Sequence, residues 1–235
     1  MNPKLSYSLQ PALYLVPVPI GNLDDMTIRA LKTLQSADII ASEDTRTIGS
    51  LLKHFQITPN KLLGVFEHNE QAGAEHIIHC IESGKSVCYA SEAGTPCISD
   101  PGVVLVRAVV QAGLRVVPLP GAVAATTALI ASGCDTSAFT FRGFPPHKKG
   151  REEWLRMACR TNETTILYEA PHRLADCLSI LAHIAPERTV CIVRELTKLH
   201  EEFIRGTVES VAAIMAERAH IKGECVVILD AVVRS

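Results

Sequence analysis

The chain has 235 residues, 47% of them apolar, which is enough for a substantial core in one large or two small domains. Its 23 basic and 25 acidic residues give a net charge of −2, which excludes a strongly basic nucleic-acid-binding domain. Aromatic residues make up only 5%, too few for an extended base-stacking platform. The apolar stretches are strand-sized and the eight cysteines form no CxxC pair, so we predict neither a membrane span nor a signal peptide and expect a cytoplasmic protein.

Strand-like and helix-like patterns alternate regularly after the first eleven residues, which we expect to be extended or disordered. This alternating stretch is the predicted N-terminal α/β domain, which spans residues 12–135 and ends at Asp135. Such βα repetition predicts a mainly parallel sheet covered on both faces. Either Asp24 or Asp25 is the predicted cap of the first helix. The predicted strands are 13–18, 38–42, 61–66, 86–90 and 114–119, and the predicted helices are 26–35, 45–55, 71–82, 103–112 and 122–131.

The rhythm changes near residues 134–138, where we place a domain boundary. Residues 136–235 are predicted to form a second, mixed α/β domain, in which a short polar link near residue 200 indicates one antiparallel strand pair. The fold class is therefore α/β, with a mainly parallel N-terminal sheet and a mixed C-terminal sheet flanked by helices. The predicted strands are 139–144, 164–168, 189–194, 201–206 and 224–231, and the predicted helices are 151–160, 172–184 and 207–218.

The loop "ASEAGTPCISDPG", residues 90–102, lies between a buried strand and a helix, where open α/β sheets bind ligands. It matches neither the phosphate-loop nor the dinucleotide pattern and contains no lysine. Its carboxylates, Glu92 and Asp100, would repel a phosphate, so the loop predicts a neutral or cationic ligand. An elaborate strand-to-helix connection without a ligand is the alternative interpretation.

Two other loops follow strands of the same predicted sheet. They read "VPVPIGNLDD" at 16–25 and "PLPGAVAATTAL" at 118–129, and both are rich in small or turn-forming residues. Small residues let a backbone and a flat ligand approach each other closely. Because the exits of parallel strands share one edge, the three loops together predict a cleft.

Polar residues follow two more strands, in "SEDTR" at 42–46 and "EHNE" at 67–70. These segments supply the candidate catalytic groups, which could orient or deprotonate a hydroxyl of a substrate. The alternative interpretation makes Asp44 a helix cap and the acids of 67–70 ordinary first-turn residues. The histidines and cysteine of 76–80 lack the second half of a zinc site, so no metal is predicted. The candidate catalytic residues are Glu43, Asp44, Glu67 and His68.

Basic side chains near strand ends and in the segment 147–151 could contact the phosphodiesters of an RNA. Each of them, taken alone, is more often a surface ion-pair partner or part of a solvated loop. The candidate RNA-binding residues are Arg46, Lys148, Lys149, Arg151, Arg173, Arg194 and Lys198.

The ordered motifs, from about residue 12 to 230, resemble the bacterial RsmI (YraL) family of ribosomal small-subunit methyltransferases, within the tetrapyrrole (corrin/porphyrin) methylase superfamily. The segments that carry the resemblance are "LYLVPVPIGNLDDMTIRAL", "ASEDTR", "EHNE", "SEAGTPCISDPG", "PLPGAVAATTAL", "YEAPHRL", "RELTKLHEE" and "GECVVIL". The resemblance implies S-adenosylmethionine bound between two α/β domains and methylation of the ribose 2′-hydroxyl of a decoding-centre cytidine in 16S ribosomal RNA. It also implies a homodimer acting on the small ribosomal subunit.

By the same resemblance, loops of both domains hold the cofactor. Glu92 and Cys97 stand where the family usually has aspartate and glycine, which we expect to change loop rigidity more than the type of ligand. Relatives commonly continue beyond the last predicted strand, so RNA docking is expected to depend on the core and its dimer. The implied cofactor-binding residues are Pro19, Gly94, Thr95, Asp100, Pro101, Gly121, Ala124, Ala125, Tyr168, Glu169 and Gly223.

Two other functions stay open at this point. A C-methylase of a tetrapyrrole would share the fold, but its polycarboxylate substrate favours a basic cleft, and the strand-exit loops here are acidic. That branch also typically shows Gly-Asp-Pro where this chain has Gly94-Thr95-Pro96. A protein that binds S-adenosylmethionine without catalysis is the third hypothesis.

Overall fold

The computed structural model describes residues 8–66 and 69–232. Within this part of the chain, residues up to Val123 form one compact unit and residues from Ala124 form a second. Each unit is built around one five-stranded sheet.

The first unit is a parallel α/β unit, in which every strand pairing is parallel. The order in its sheet is β3-β2-β4-β1-β5, which places β4 at the centre between β2 and β1. The strands are β1 (Ala12–Val16), β2 (Ile39–Ser42), β3 (Leu62–Gly64), β4 (Ser86–Ala90) and β5 (Val116–Pro118), and the helices are α1 (Ile28–Ser36), α2 (Thr45–His54), α3 (Glu70–Glu82) and α4 (Val103–Gln111). All of these elements overlap the predicted ones.

Alternating side chains of the central strands enter two separate apolar layers. Tyr14 of β1 packs with the layer that contains α1 and α2, whereas its neighbour Leu13 packs with the layer that contains α3 and α4. This alternation is the period-two geometry of a strand. Because both faces are covered by helices, β1 and β4 are buried almost throughout, as expected for a parallel sheet.

Helix α1 begins later than predicted and has a different cap. The side chain of Thr27 accepts the hydrogen bond from the amide of Ala30, so Thr27 is the N-cap and the assignment of Asp24 or Asp25 was wrong. Those two aspartates lie in a short 3-10 turn that is capped by Asn22. The polar residues that the sequence pattern assigned to the start of the helix therefore belong to the turn that precedes it.

The second unit contains a mixed sheet in the order β6-β7-β10-β8-β9. Only β6 and β7 are parallel; the other neighbours are antiparallel, including the predicted β8–β9 pair. The strands are β6 (Phe139–Phe141), β7 (Thr164–Glu169), β8 (Thr189–Arg194), β9 (Glu202–Thr207) and β10 (Cys225–Leu229), and the helices are α5 (Ala124–Ser132), α6 (Arg151–Cys159), α7 (Pro171–Ile184) and α8 (Val208–Ala216). The predicted α/β class with a mixed second sheet is confirmed.

Helix α5 lies in the second unit, whereas the predicted boundary after Asp135 left it in the first. It packs on β7, β8 and β10, and the Tyr168 hydroxyl of β7 accepts the amide hydrogen of Ala125. The neighbouring strand residue Leu167 faces the other layer, which contains α7 and α8. These contacts place the division between Val123 and Ala124, because a helix belongs with the sheet that buries it.

Two expectations from composition concern the whole chain. None of the helices in the described ranges combines the length and apolar character needed to span a bilayer. All eight cysteines lie in those ranges as free thiols, and most of them are buried, so they pack as small apolar side chains.

Replacing the cap residue in Thr27→Ala should lower the free energy of unfolding by about 1 kcal/mol, because the amide of Ala30 loses its partner. The matched control is Asp25→Ala, an exposed change that should stay within about 0.5 kcal/mol of the parent. Urea denaturation measures both. A larger loss in Asp25→Ala than in Thr27→Ala would contradict the assigned cap.

Candidate functional site

The exit loops of three parallel strands are hydrogen-bonded to one another at the carboxyl edge of the first unit. Val18, after β1, exchanges two backbone hydrogen bonds with Gly94, after β4, at 2.9 and 3.1 Å. The Thr95 hydroxyl donates to the carbonyl of Ala122, after β5, at 2.8 Å. Three loops that were predicted separately therefore form one continuous surface.

The β1 and β5 exits also meet through Gly121. A Cβ atom added at this glycine would overlap the ring of Pro17. Glycine is therefore required by the close approach of the two backbones. The structure brings together three residues of the predicted cofactor site at this edge, namely Gly94, Thr95 and Gly121, and Pro19 lies next to Val18 in the same β1 exit loop.

The loop 90–102 is held in an uncommon backbone conformation. Cys97 and Ser99 have φ of +70° and +61°, a left-handed backbone conformation that residues other than glycine rarely adopt. Each such conformation costs on the order of 1–3 kcal/mol of folding free energy and is kept only where the surrounding contacts enforce it. Here the Ser91 hydroxyl donates to the carbonyl of Gly94 at 3.0 Å, and such strain is common in ligand-binding loops.

Gly102 closes this loop and opens α4 with φ of +116°. Its amide donates to the Glu70 carboxylate at 3.1 Å, so this acid fixes the loop as well as standing at the start of α3. A Cβ at Gly102 would lie 2.6 Å from a ring carbon of Tyr89. Both the φ angle and this contact exclude other residues from the position.

Two neighbouring carboxylates affect Asp100 at this edge. Burial, followed by the negative charges of Glu43 and Glu92, raises the pKa of Asp100 to about 6. Burial, followed by the charges of nearby carboxylates, also raises the pKa of the Tyr89 hydroxyl. A cation bound here would relieve the repulsion, since an opposite charge nearby favours the ionised carboxylate. These charges favour a cationic ligand, one of the two kinds, neutral or cationic, predicted from the sequence.

The candidate catalytic residues occupy different environments. The Asp44 carboxylate caps α2 through the amide of Arg46 at 2.8 Å and pairs with its guanidinium at 2.8 Å, so the cap interpretation is confirmed. The hydrogen bonds from Arg46 lower the pKa of Asp44 to about 2, which makes it a weak proton acceptor at neutral pH. Glu43 lies close enough to Asp100 for their charges to interact. Glu67 and His68 lie outside the described residues.

In the second unit, Tyr168 and Ala125 are brought together by the hydrogen bond from the Ala125 amide to the Tyr168 hydroxyl, 3.0 Å long. The Tyr168 ring packs edge-on against Phe141 and Phe144, with centroid distances of 4.9 and 5.5 Å. The tyrosine therefore fixes the start of α5, next to Ala124. The cofactor contacts predicted for these residues stay predictions.

Glu169 and two candidate RNA-binding arginines form a buried ion cluster. The Glu169 carboxylate, with 0% of its side chain exposed, pairs with Arg151 at 2.6 Å and with Arg173 at 3.1 Å. Arg151 is itself only 6% exposed and also pairs with Asp176. Removing one partner would leave an uncompensated buried charge, so these side chains are held within the second unit. Any contact of Glu169 with a cofactor would have to come from its backbone.

Two more of the candidate RNA-binding residues, at the end of β8 and in the loop that follows it, are held in ion pairs. Arg194 pairs with Glu202 at 2.6 Å, and Lys198 pairs with Glu195 and Glu224 at 3.0 Å each. A Cβ at Gly223 would overlap the Glu195 side chain, which explains a glycine before β10 without a ligand. The basic candidates with exposed side chains are Arg46, Lys148 and Lys149.

A cavity of about 360 Å³ lies beside the β1 exit loop within the first unit. One wall is the exposed face of α2, which carries Thr47, Ser50 and His54, and Glu92 stands on the opposite loop. The sequence patterns predicted a cleft at the exit loops, but they did not identify the contribution of α2 residues 47–54, which carry no turn or motif. The other lining residues are Val18, Pro19, Gly21, Leu23, Ile48, Leu51 and Ser91.

Comparison with family models and sequences gives consistent matches. Residues 12–212 match the model of the Tetrapyrrole (Corrin/Porphyrin) Methylases. A protein of Halalkalibacterium halodurans named ribosomal RNA small subunit methyltransferase I is 48% identical over 219 residues, covering 93% of this chain and 75% of that protein. A protein of the same name from Hydrogenobaculum sp. is 45% identical and covers 93% of this chain and 95% of its own length.

Solved structures share the fold at lower identity. Uroporphyrin-III C-methyltransferase from Thermus thermophilus superposes with a TM-score of 0.65 at 20% identity, over 94% of both chains. The same enzyme in complex with S-adenosyl homocysteine gives a TM-score of 0.63 at 18% identity, over 93% of this chain and 97% of that one. At this identity the likeness shows the fold alone.

Replacing the crowded carboxylate in Asp100→Asn should stabilise the first unit. Because the pKa of Asp100 is about 6 in the folded chain against an ordinary value of 3.8, the ionised carboxylate destabilises the fold, and the gain from asparagine should develop between about pH 4 and pH 6 and stay constant above. Since the group is only half-buried, we expect about 1 kcal/mol at pH 7.5. Thermal unfolding of both proteins across this range measures the gain, and a gain that disappeared toward high pH would contradict the assigned crowding.

Proposed function

The chain belongs to the tetrapyrrole (corrin/porphyrin) methylases and, within them, to the ribosomal RNA small subunit methyltransferase I family, and we propose that it methylates 16S ribosomal RNA with S-adenosylmethionine as the methyl donor. The acceptor in this proposal is the ribose 2′-hydroxyl of a decoding-centre cytidine. We further propose that the protein acts as a cytoplasmic homodimer on the small ribosomal subunit, as the resemblance implies.

The choice of RNA over a tetrapyrrole rests on the level of similarity. Relatives named for ribosomal RNA methylation are 44–48% identical over nearly the whole chain, whereas the tetrapyrrole methyltransferases are 17–20% identical. The acidic exit loops also suit a tetrapyrrole polycarboxylate poorly. These points favour the ribosomal substrate.

The observation that carries the cofactor proposal is the lysine-free, carboxylate-rich loop that is joined to both neighbouring strand exits. S-adenosylmethionine presents a sulfonium and an ammonium, so binding it would offset the repulsion that raises the pKa of Asp100 to about 6 by burial and by Glu43 and Glu92. When bound, this cofactor supplies an electrophilic methyl carbon with a neutral thioether as the leaving group.

The residues of the chain contribute chiefly by positioning and by proton transfer. A new bond forms between the ribose oxygen and the methyl carbon as the carbon–sulfur bond breaks, and the hydroxyl proton leaves to a base. Holding the reactants in line supplies much of the acceleration in such a displacement. Glu43 is the described base candidate because its charge acts on Asp100 at the proposed cofactor site. Among the exposed cations, Arg46, Lys148 and Lys149 are proposed to contact the RNA backbone.

The proposal predicts transfer of one labelled methyl group from S-adenosylmethionine to small ribosomal subunits that lack this modification. Mapping the product should place the label on a ribose 2′-oxygen of 16S RNA, and Glu43→Gln should lower the transfer rate at saturating cofactor by about 10²-fold or more. Unmodified subunits are compared with already methylated ones as the control. Label on a base, or no label at all, would reject the proposed reaction.

Cofactor affinity should depend on pH through Asp100. Below a pH of about 6 this carboxyl becomes protonated because of its burial and the neighbouring Glu43 and Glu92, so calorimetry should show weaker binding of S-adenosylmethionine as the pH falls from 7.5 to 5. Asp100→Asn should bind weakly at both values, by roughly tenfold at pH 7.5. An affinity that did not change in this variant would show that the cofactor lies elsewhere.

A further inference from the structure

We infer that the cavity beside α2 is a subsite for a single base of the RNA substrate, and that Glu92 selects a base carrying an exocyclic amino group. This inference rests on the proposed function, because it concerns the substrate of the same reaction. The exit loops of the predicted cleft form part of this cavity, but neither the sequence motifs nor the names of the relatives assign a base to it.

The size and the walls of the cavity suit a flat, uncharged group. Its volume of about 360 Å³ lies at the lower end of the range for small-molecule pockets, about 300–1,000 Å³. Val18, Ile48 and Leu51 provide apolar surface, and Leu23, which is 41% exposed, stands at the same cavity. A base that has left its stack presents two apolar faces and would cover this surface.

His54 offers a stacking partner at the end of α2. Its ring lines the cavity and is held edge-on against Phe55, with a centroid distance of 4.9 Å. Splayed RNA bases commonly stack on aromatic or histidine rings. The low aromatic content of the chain therefore does not prevent stacking of one base.

The polar groups of the cavity indicate which base fits. The Glu92 carboxylate accepts hydrogen bonds but has no hydrogen to donate when ionised. An acidic side chain of this kind recognises the amino group at N4 of cytosine, while the O4 of uracil would meet it as a second acceptor. The preferred base is therefore cytosine over uracil.

The surrounding charges place the RNA backbone outside the cavity. A phosphate inside would meet Glu92 and the nearby Asp100, which repel it. The Arg46 guanidinium is 89% exposed, precedes the cavity residue Thr47 and lies near enough to Glu92 for their charges to interact. A strand with its phosphate at Arg46 and its base in the cavity satisfies both charges.

The first arm of the test measures binding of oligocytidylate and oligouridylate of about eight nucleotides by fluorescence anisotropy at one fixed salt concentration. The parent protein should prefer oligocytidylate by roughly tenfold, the ratio typical of one charge-assisted hydrogen bond. In Glu92→Gln this ratio should fall to about one, because the amide both donates and accepts. Equal binding of the two RNAs by the parent protein overturns the inference.

The second arm fills the cavity with Ser50→Trp, which changes an exposed residue of α2. Oligocytidylate affinity should fall by roughly tenfold while calorimetry shows unchanged affinity for S-adenosylmethionine. The matched control is Thr58→Trp, an exposed position that does not line the cavity and that should leave both affinities as they are. Unchanged oligocytidylate binding in Ser50→Trp overturns the inference, and so does an equal loss for S-adenosylmethionine, which would assign the cavity to the cofactor's adenine.

The two proposals fail in distinguishable ways. If the parent shows the cytidine preference and both variants behave as expected, but no methyl group reaches ribosomal RNA, the proposed reaction is rejected and the base subsite stands. If transfer occurs and the affinities do not follow the expected pattern, the reaction stands and the subsite is rejected.

Discussion

The pair of backbone hydrogen bonds between Val18 and Gly94 is the constraint on which the site depends. It joins the exits of the two central strands, so the loop 90–102 leaves β4 in a fixed direction. With Gly94 held, the hydroxyl of Thr95 reaches the carbonyl of Ala122 on the third exit. The strained conformations at Cys97 and Ser99 follow within the same loop, because strain persists only where neighbouring contacts enforce it.

Fixing these loops also fixes an unfavourable arrangement of charge. Asp100 is half-buried near Glu43 and Glu92, and its pKa rises to about 6 because of burial and these two charges. In the absence of a cation the fold is destabilised by keeping them together. A site that costs stability in this way is typical of function, since binding or catalytic groups are arranged for the ligand and not for the fold.

The sequence predicted those features that depend on local patterns. Periodicity, residue type and turn signals located the strands and α-helices of the described residues, and the turn-rich exits identified the edge, because parallel strands all end on one side. The cap at Thr27 was missed because two neighbouring aspartates matched the same local signal. The burial of Arg151 against Glu169 and the cavity beside α2 depend on segments distant in the chain, which no spacing within one motif reveals.

Helix α2 links the two halves of the proposed chemistry. At its start, the pair between Asp44 and Arg46 holds the first turn and leaves Glu43 as the described carboxylate next to the crowded edge. The same helix then presents Thr47, Ser50 and His54 to the cavity, each about one turn from the next, as residues three or four positions apart share a face. If α2 held a nucleobase of the substrate there, the position of the attached ribose would depend on the helix that directly follows Glu43, the candidate proton acceptor. Recognition of the nucleobase and removal of the ribose proton would then depend on the same rigid element.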